Sequence, residues 1–501
     1  MRNTGLKIIL LSLICLLLVF SVDCDCSKTQ KLKIIQVKKT EIPVVHFRVM
    51  VFSGSADDPT GKGGLAYFAS SMLKKGTQSY SREQLEELLD FLSARIDISV
   101  DKQVIVVSGT TLKENLDKFY PLFSEVLLKP SFPQEEIEKQ KKEQEDGVNM
   151  LLQDDGELVK ECLQDYIYKD HPYGHPVVGG LSSIKSLTRQ DAQDFYNTHF
   201  VKDNLVIGLA GDIDENLVEK VRKDFSTLKE GKVVHPEGTV QPLKGRKLLL
   251  VEKEGRGQTQ FCFGHPVSFT RKDEKMFFPL YVANTYFGKH RESFGVLFQT
   301  VRTAHGLSYG AYSYMEYFRQ AGWSNLASPN IPRREQYLSI WTYPKSINGK
   351  FTMKLVLKDL TDLVENGVPP EELERYKNFE INHFPFEIQT PQRKLGLLLD
   401  EEFYGNYGFV DNFEKNVKGV SSDQVNSDLK KYIFPDDIAI VAIVSNADDF
   451  KKELFSDQTV IEYPSGVDGA SLKEGDDKIK VFDLKIKPED VSVVKVSELF
   501  K

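Results

Sequence analysis

The chain carries the same succession of elements twice, and that repetition limits what it can fold into more than any other feature. Gln193 to Asp214 read as a helix, a turn at Lys202-Asp203-Asn204 and an apolar strand from Leu205 to Ala210, followed by the acids Asp212 and Asp214. Asp423 to Asp449 repeat the order: a helix through Leu429 and Tyr432, a turn at Pro435-Asp436-Asp437, an apolar strand from Ile438 to Val444, then Asn446-Ala447-Asp448-Asp449. A second pair of segments keeps the same sequence of events. Phe132-Pro133-Gln134-Glu135-Glu136 matches Val368-Pro369-Pro370-Glu371-Glu372. In both, a proline opens a helix where its missing N–H costs nothing, and carboxylates fill the first turn, where the helix dipole favours negative charge. Each follows an amphipathic helix, Leu112 to Leu127 and Thr352 to Glu365, with apolar residues every three or four positions. Two matches in one order predict a duplicated domain of about 200 residues.

Gly231 to Arg246 contains Gly231, Pro236, Gly238, Pro242 and Gly245 and reads as a linker. The expected division is a signal over 1–26, a first domain over 27–230, a linker over 231–246, a second domain over 247–463 and a tail over 464–501. Strand-like runs at Val44 to Phe52, Val104 to Ser108, Lys247 to Val251 and Tyr337 to Tyr343 are mixed with helices rather than alternating regularly, which predicts an α+β layered fold. The tail, with Gly466, Gly469, Gly475 and many charges, is expected to pack loosely, with Ile479 to Ile486 as a candidate edge strand.

At the N-terminus Arg2 and Lys7 precede an apolar run from Ile8 to Phe20, broken only by Ser12. That pattern predicts an export signal, and the run is short of the ~20 residues a membrane-spanning helix needs. The expected location is periplasmic or extracellular, with a lipid anchor at Cys24 or Cys26 as the alternative. An Asp precedes each of these cysteines, where a small residue is expected, and this argues against the anchor. The other cysteines are Cys15, Cys162 and Cys262, too few for a disulfide framework. A net charge of −8 argues against a nucleic-acid partner, because phosphate binding needs a basic face.

Three motifs bear on chemistry. A strand ending in Gly54-Ser55-Ala56-Asp57-Asp58-Pro59 leads into Gly63-Gly64-Leu65-Ala66-Tyr67-Phe68-Ala69-Ser70-Ser71-Met72-Leu73-Lys74-Lys75-Gly76-Thr77. Asp170-His171-Pro172-Tyr173-Gly174-His175-Pro176-Val177-Val178-Gly179 follows, and then Arg302-Thr303-Ala304-His305-Gly306-Leu307-Ser308-Tyr309-Gly310. Together and in this order they resemble the pitrilysin/insulinase family of zinc metallopeptidases, which includes the mitochondrial processing peptidases. The resemblance spans nearly all of residues 32 to 450. It implies two homologous domains, each a mostly antiparallel sheet packed with helices, arranged as a clamshell.

In that family the first helix carries an inverted H-x-x-E-H motif. Two histidines four apart share a helix face and hold Zn²⁺, a Glu beside them serves as base, and a later helix supplies a third ligand. Here the first His position is Tyr67, the Glu position Ser70 and the second His position Ser71. The third-ligand position falls at Gly147, or at Val148 counted from the helix, and Gln140 stands where the family often has another Glu. The resemblance thus implies no metal and no catalytic residue in this chain alone. His171 and His175 are four apart, but Pro172 and Gly174 argue for a structural loop. His46 reads as a strand residue, Glu135 to Asp146 as a solvated helix face, and Ser70-Ser71 lack the surroundings of a serine nucleophile.

The resemblance assigns Arg302 and Tyr309 to the substrate carbonyl and the oxyanion formed in hydrolysis, a task suited to a fixed cation and a phenol donor. The bland alternative is an Arg paired with a nearby acid and a strand tyrosine. The implied function is a non-catalytic subunit that lends Arg302 and Tyr309 to a zinc-bearing partner of the same family and closes with it around an extended peptide. The alternatives are an inactive stand-alone protein that binds peptides or organises the envelope, and an active peptidase with a different metal site.

Overall fold

Two sheets of the same topology carry the duplication into three dimensions. A computed structural model describes residues 32–319, 326 and 328–501. The signal reading of residues 1–26, with Cys24 and Cys26, lies outside the described residues. The first half runs β1 (Ile34–Lys38), β2 (Val44–Val51), α1 (Leu65–Met72), α2 (Arg82–Phe91), β3 (Arg95–Val100), β4 (Ile105–Leu112), α3 (Leu116–Leu128), α4 (Gln134–Gln153), α5 (Asp155–Ile167), α6 (Leu181–Ser186), α7 (Arg189–His199), β5 (Leu205–Gly211) and α8 (Glu215–Phe225). The second runs β6 (Lys247–Glu252), β7 (Gln260–Val267), α9 (Glu274–Gly288), a π-helical segment (Phe298–Ala304), β8 (Ala311–Tyr314), β9 (Gln336–Thr342), α10 (Gly349–Asn366), α11 (Pro370–Glu387), α12 (Pro391–Tyr404), α13 (Phe409–Lys418), α14 (Ser422–Tyr432), β10 (Ala439–Val444), α15 (Ala447–Leu454), α16 (Gly469–Lys480) and β11 (Val491–Lys495).

The first sheet has the order β1-β5-β2-β4-β3, and the second repeats it as β6-β10-β7-β9-β8. Within these five-strand sets the first-named strand runs parallel to its neighbour and the rest pair antiparallel; a sixth strand, β11, extends the second sheet in parallel beside β6. The fold is α+β with two homologous sheet-and-helix halves, as the repeat predicts. Strands β1, β3, β7 and β8 are not legible as separate runs in the sequence.

Strands β5 (LVIGLAG) and β10 (AIVAIV) are buried at every position. Such continuous apolar runs require cover on both sheet faces. Helices of the same half cover one face of each sheet, forming the two large cores. The other face is covered by a helix from the opposite half. α5 lays Leu158, Val159, Cys162 and Leu163 on Val251, Cys262, Val441 and Ile443 of the second sheet. α12 returns the exchange, placing Leu395 and Leu399 on Met50, Val106, Val206 and Ala210 of the first. Gly208 makes room for it: a Cβ there would come within 2.8 Å of Leu395 Cδ1.

Polar groups fix this exchange. Lys253 of the second half donates to the carbonyls of Leu152 (2.7 Å) and Gln153 (3.1 Å), satisfying the end of α4, and pairs with Asp155 at the start of α5. Arg333, fully buried, donates to Asp101 at 2.7 Å and to Gln164 at 2.5 Å, and its guanidinium lies 3.3 Å from the centre of the Tyr317 ring.

Asp400 on α12 is also buried, accepting the Asn330 N–H at 2.9 Å with Arg271 3.7 Å away. Burial pushes its pKa up from 3.8 to about 7, only partly opposed by Arg271 and the Asn330 N–H. A carboxyl raised on folding contributes stability that is complete below its unfolded value and is lost as pH rises through the folded one. Asp400→Asn is therefore expected to stabilise the chain at pH 8 by up to about 4 kcal/mol relative to wild type, with the advantage vanishing near pH 4. Urea unfolding across pH 4–8 checks this, and a pH-independent difference would contradict it.

The C-terminal stretch corrects the sequence reading. Rather than packing loosely with an edge strand at Ile479 to Ile486, it forms α16, which buries Ile479 and Asp476, and then β11, which adds parallel to β6. Beyond β11, the Phe500 carbonyl accepts the Leu181 N–H of the first half at 2.8 Å. Among the described residues no helix is long and apolar enough to cross a membrane.

Candidate functional site

The ordered turn after β2 sets the position of α1. The Asp58 carboxylate accepts the N–H groups of Gly64 and Ala66, both at 2.7 Å, and so satisfies the helix start. Gly64 takes φ of 90°. The loop from His171 to Gly179 packs over this start. Gly179, at φ 82°, comes so close that a Cβ would lie 2.2 Å from the Gly63 carbonyl oxygen. Gln144 of α4 donates to the carbonyls of Gly64 (3.0 Å) and Val178 (2.6 Å), tying loop, α1 and α4 together. His171 accepts the Tyr173 N–H at 3.1 Å. His175 has its pKa driven down by burial to about 4. Both histidines lie in a loop, with Pro172 and Gly174 between them. His46 lies in β2, 3.2 Å from the Thr110 hydroxyl.

α1 buries Leu65, Ala66, Phe68, Ala69 and Met72 in the first core. Ser70 is fully buried and its Oγ has no hydrogen-bond partner among the described residues. Ser71 is partly buried, and Tyr67 faces a cavity. On α4, Gly147 opens onto empty space, with no atom within 4 Å of where a Cβ would stand. Gln140 is buried with its Oε1 unpartnered. Among the described residues no three His, Cys, Asp or Glu side chains gather as a metal site. A phenol, two hydroxyls and a glycine do not supply the imidazole and carboxylate donors zinc requires. This donor set does not fit the metal.

The cavity beside Tyr67 has a volume of about 490 Å³ and lies at the seam of the two halves. Leu151, Glu157 and Glu161 line it from the first half, and Tyr314, Tyr337 and Trp341 from the second. Arg302 and Tyr309 are not among its walls. Arg302 lies in the π-helical segment, its guanidinium 3.8 Å from the centre of the Tyr309 ring and 4.5 Å from that of Phe298. Tyr309 is 68% exposed and lies outside any strand. The two residues therefore meet as a stacked pair on the surface, seven positions apart in sequence. Sequence reasoning had no signal for Arg333, whose role depends on an acid 232 positions away. The helix-capping role of Asp58 was readable in principle from its place before the Gly-rich turn.

The fold pairs two homologous sheet-and-helix halves, and among the described residues its first helix gathers no metal-binding cluster. Residues 33–180 match the sequence model of the insulinase family, peptidase family M16, and residues 186–379 match that of the peptidase M16 inactive domain. The chain belongs to this family. An uncharacterized zinc protease of Bacillus subtilis is 22% identical over 401 residues, covering 80% of this chain and 92% of the relative. One from Mycobacterium tuberculosis is 26% identical over 398 residues, covering 77% and 86%. Among solved structures, a peptidase M16 inactive domain from Pseudomonas fluorescens superposes with a TM-score of 0.73 at 22% identity, covering 82% of this chain and 94% of that one. A protease from Helicobacter pylori superposes with a TM-score of 0.72 at 16% identity, covering 83% and 97%.

Proposed function

We propose that this chain is the non-catalytic subunit of a heteromeric zinc metallopeptidase outside the cytoplasm. A zinc-bearing partner of the same family supplies metal and base, and this chain supplies Arg302 and Tyr309 to an extended peptide. The observation that carries the reading is the stacked, solvent-facing Arg302–Tyr309 pair on a chain whose own α1 has no metal donors. Stacking holds the guanidinium in one orientation while leaving its edge free to donate, which suits stabilisation of a developing oxyanion. The pair stands clear of the chain's own cavity and is available to a second chain.

The test is co-purification with a family member that has an intact H-x-x-E-H motif, followed by a peptide-cleavage assay. Arg302→Ala is expected to lower kcat by about 10²–10³, the scale of losing one oxyanion donor, while leaving assembly intact. Full cleavage by the partner alone, unchanged by adding this chain, would overturn the proposal. The seam cavity favours a second reading, in which the chain binds peptides by itself. Peptide binding by the isolated chain, lost on Trp341→Ala and indifferent to Arg302→Ala, would favour that reading.

A further inference from the structure

The segment that presents Arg302 and Tyr309 is held from beneath by the C-terminal stretch. The π-helical segment ends at His305, whose N–H bonds the Arg302 carbonyl. His305 is buried, with Nδ1 2.6 Å from the Thr300 carbonyl oxygen and Nε2 2.8 Å from Asp476 Oδ1 on α16. The ring thus bridges the segment's own backbone and α16. Asp476 is 1% exposed, and its second oxygen accepts the Tyr463 hydroxyl. Gly306, at φ 61°, lies so close to the tail that a Cβ would meet Pro464 Cγ at 2.6 Å and Val467 Cγ2 at 3.3 Å. The tail is itself pinned: Asn348 exchanges two hydrogen bonds with the Glu462 backbone, at 2.7 and 2.9 Å, and Lys354 donates to the Lys480 carbonyl at 2.5 Å.

A π-helical segment is a rare geometry that needs support from its surroundings. Here Thr300 also donates to Asp359 of α10 at 2.7 Å, so the segment is fixed on two sides. Between His305 and β8 the chain passes Gly306 and Gly310, which set little by themselves. We infer that Asp476, acting through His305, is a positioning residue that holds the Arg302–Tyr309 pair in its stacked, outward geometry. The matched family models end at residue 379, so Asp476 and the rest of the tail lie beyond them, while His305 lies within. The role in catalysis rests on the subunit reading above; the structural role does not.

Hydrogen exchange of the intact chain tests the clasp directly. Losing a buried charged acceptor is expected to speed exchange of amides in 298–310 by about tenfold or more in Asp476→Ala. Protection in β9 and in β10 should stay as in wild type. Asp476→Asn, which keeps an acceptor toward His305, should fall between the two and guards against a variant that fails to fold. Unchanged exchange at 298–310 in both variants would overturn the inference, as would an even loss of protection across the second half. In the assembled peptidase, Asp476→Asn should lower kcat in the same direction as Arg302→Ala, with KM little changed. A silent Arg302→Ala together with loosened exchange in the Asp476 variants would sink the subunit reading and leave the clasp standing.

Discussion

Arg333→Ala is expected to remove about 3–5 kcal/mol of folding stability, the cost of leaving one member of a buried ion pair alone. Arg333 and Asp101 are 1% and 3% exposed, and the pair joins the segment before β9 to the end of β3 across the seam. Without the guanidinium, the Asp101 carboxylate keeps, among the described residues, the Lys102 N–H at 2.7 Å, and Gln164 loses a donor. Nearby Lys102 cannot easily replace it, since its ammonium already donates to the His175 carbonyl. Asp101→Asn combined with Arg333→Met should cost less than Arg333→Ala alone, because no charge is then left buried and unpaired. Urea unfolding monitored by Trp341 measures both. A loss under about 1 kcal/mol for Arg333→Ala would place the pair in the range of exposed bridges and deny it a structural part in joining the halves.

The second large effect concerns the metal. The wild-type chain is expected to hold no stoichiometric zinc after purification, and zinc or a chelator should leave its Tm unchanged. Tyr67→His, Ser70→Glu, Ser71→His and Gly147→Glu made together should create a site for about one zinc per chain, the usual outcome when two imidazoles and a carboxylate meet an open position. The backbone favours this. α1 is capped by Asp58, α4 is tied to it through Gln144, and the space above Gly147 is empty. Zinc at about a thousand times its dissociation constant would add about 4 kcal/mol of stability to the variant, readable as a rise in Tm that a chelator reverses. Zinc bound one-to-one by the wild type, or none bound by the variant, would show that the residues at 67, 70, 71 and 147 do not decide whether this fold holds zinc.

Much of the architecture was legible because its signals are local. The proline-opened helices at Pro133 and Pro369 and the apolar strands after residues 204 and 438 announce their own conformations, and their repetition announces the duplication. β3 was passed over because its alternation, Arg95-Ile96-Asp97-Ile98-Ser99-Val100, buries alternate side chains only once β4 is beside it. The tail was misread because Ile479 looks equally suited to a strand. Its helix is fixed by contacts made at a distance: His305 bonds the Asp476 carboxylate and Lys354 donates to the Lys480 backbone carbonyl.

That Tyr67, Ser70, Ser71 and Gly147 offer no imidazole or carboxylate is a property of the sequence alone, since folding does not change side-chain chemistry. So is the duplicated α+β plan, because helix and strand periodicity are properties of neighbouring residues. Only the tertiary structure decided that α5 and α12 trade sheets, because an apolar helix face records that it must be covered and not by what. It alone decided that Arg302 and Tyr309 meet at the surface and that His305, between them in the chain, bonds a carboxylate 171 positions further on, since hydrogen bonds and ion pairs depend on distance in space and leave no trace in spacing along the chain.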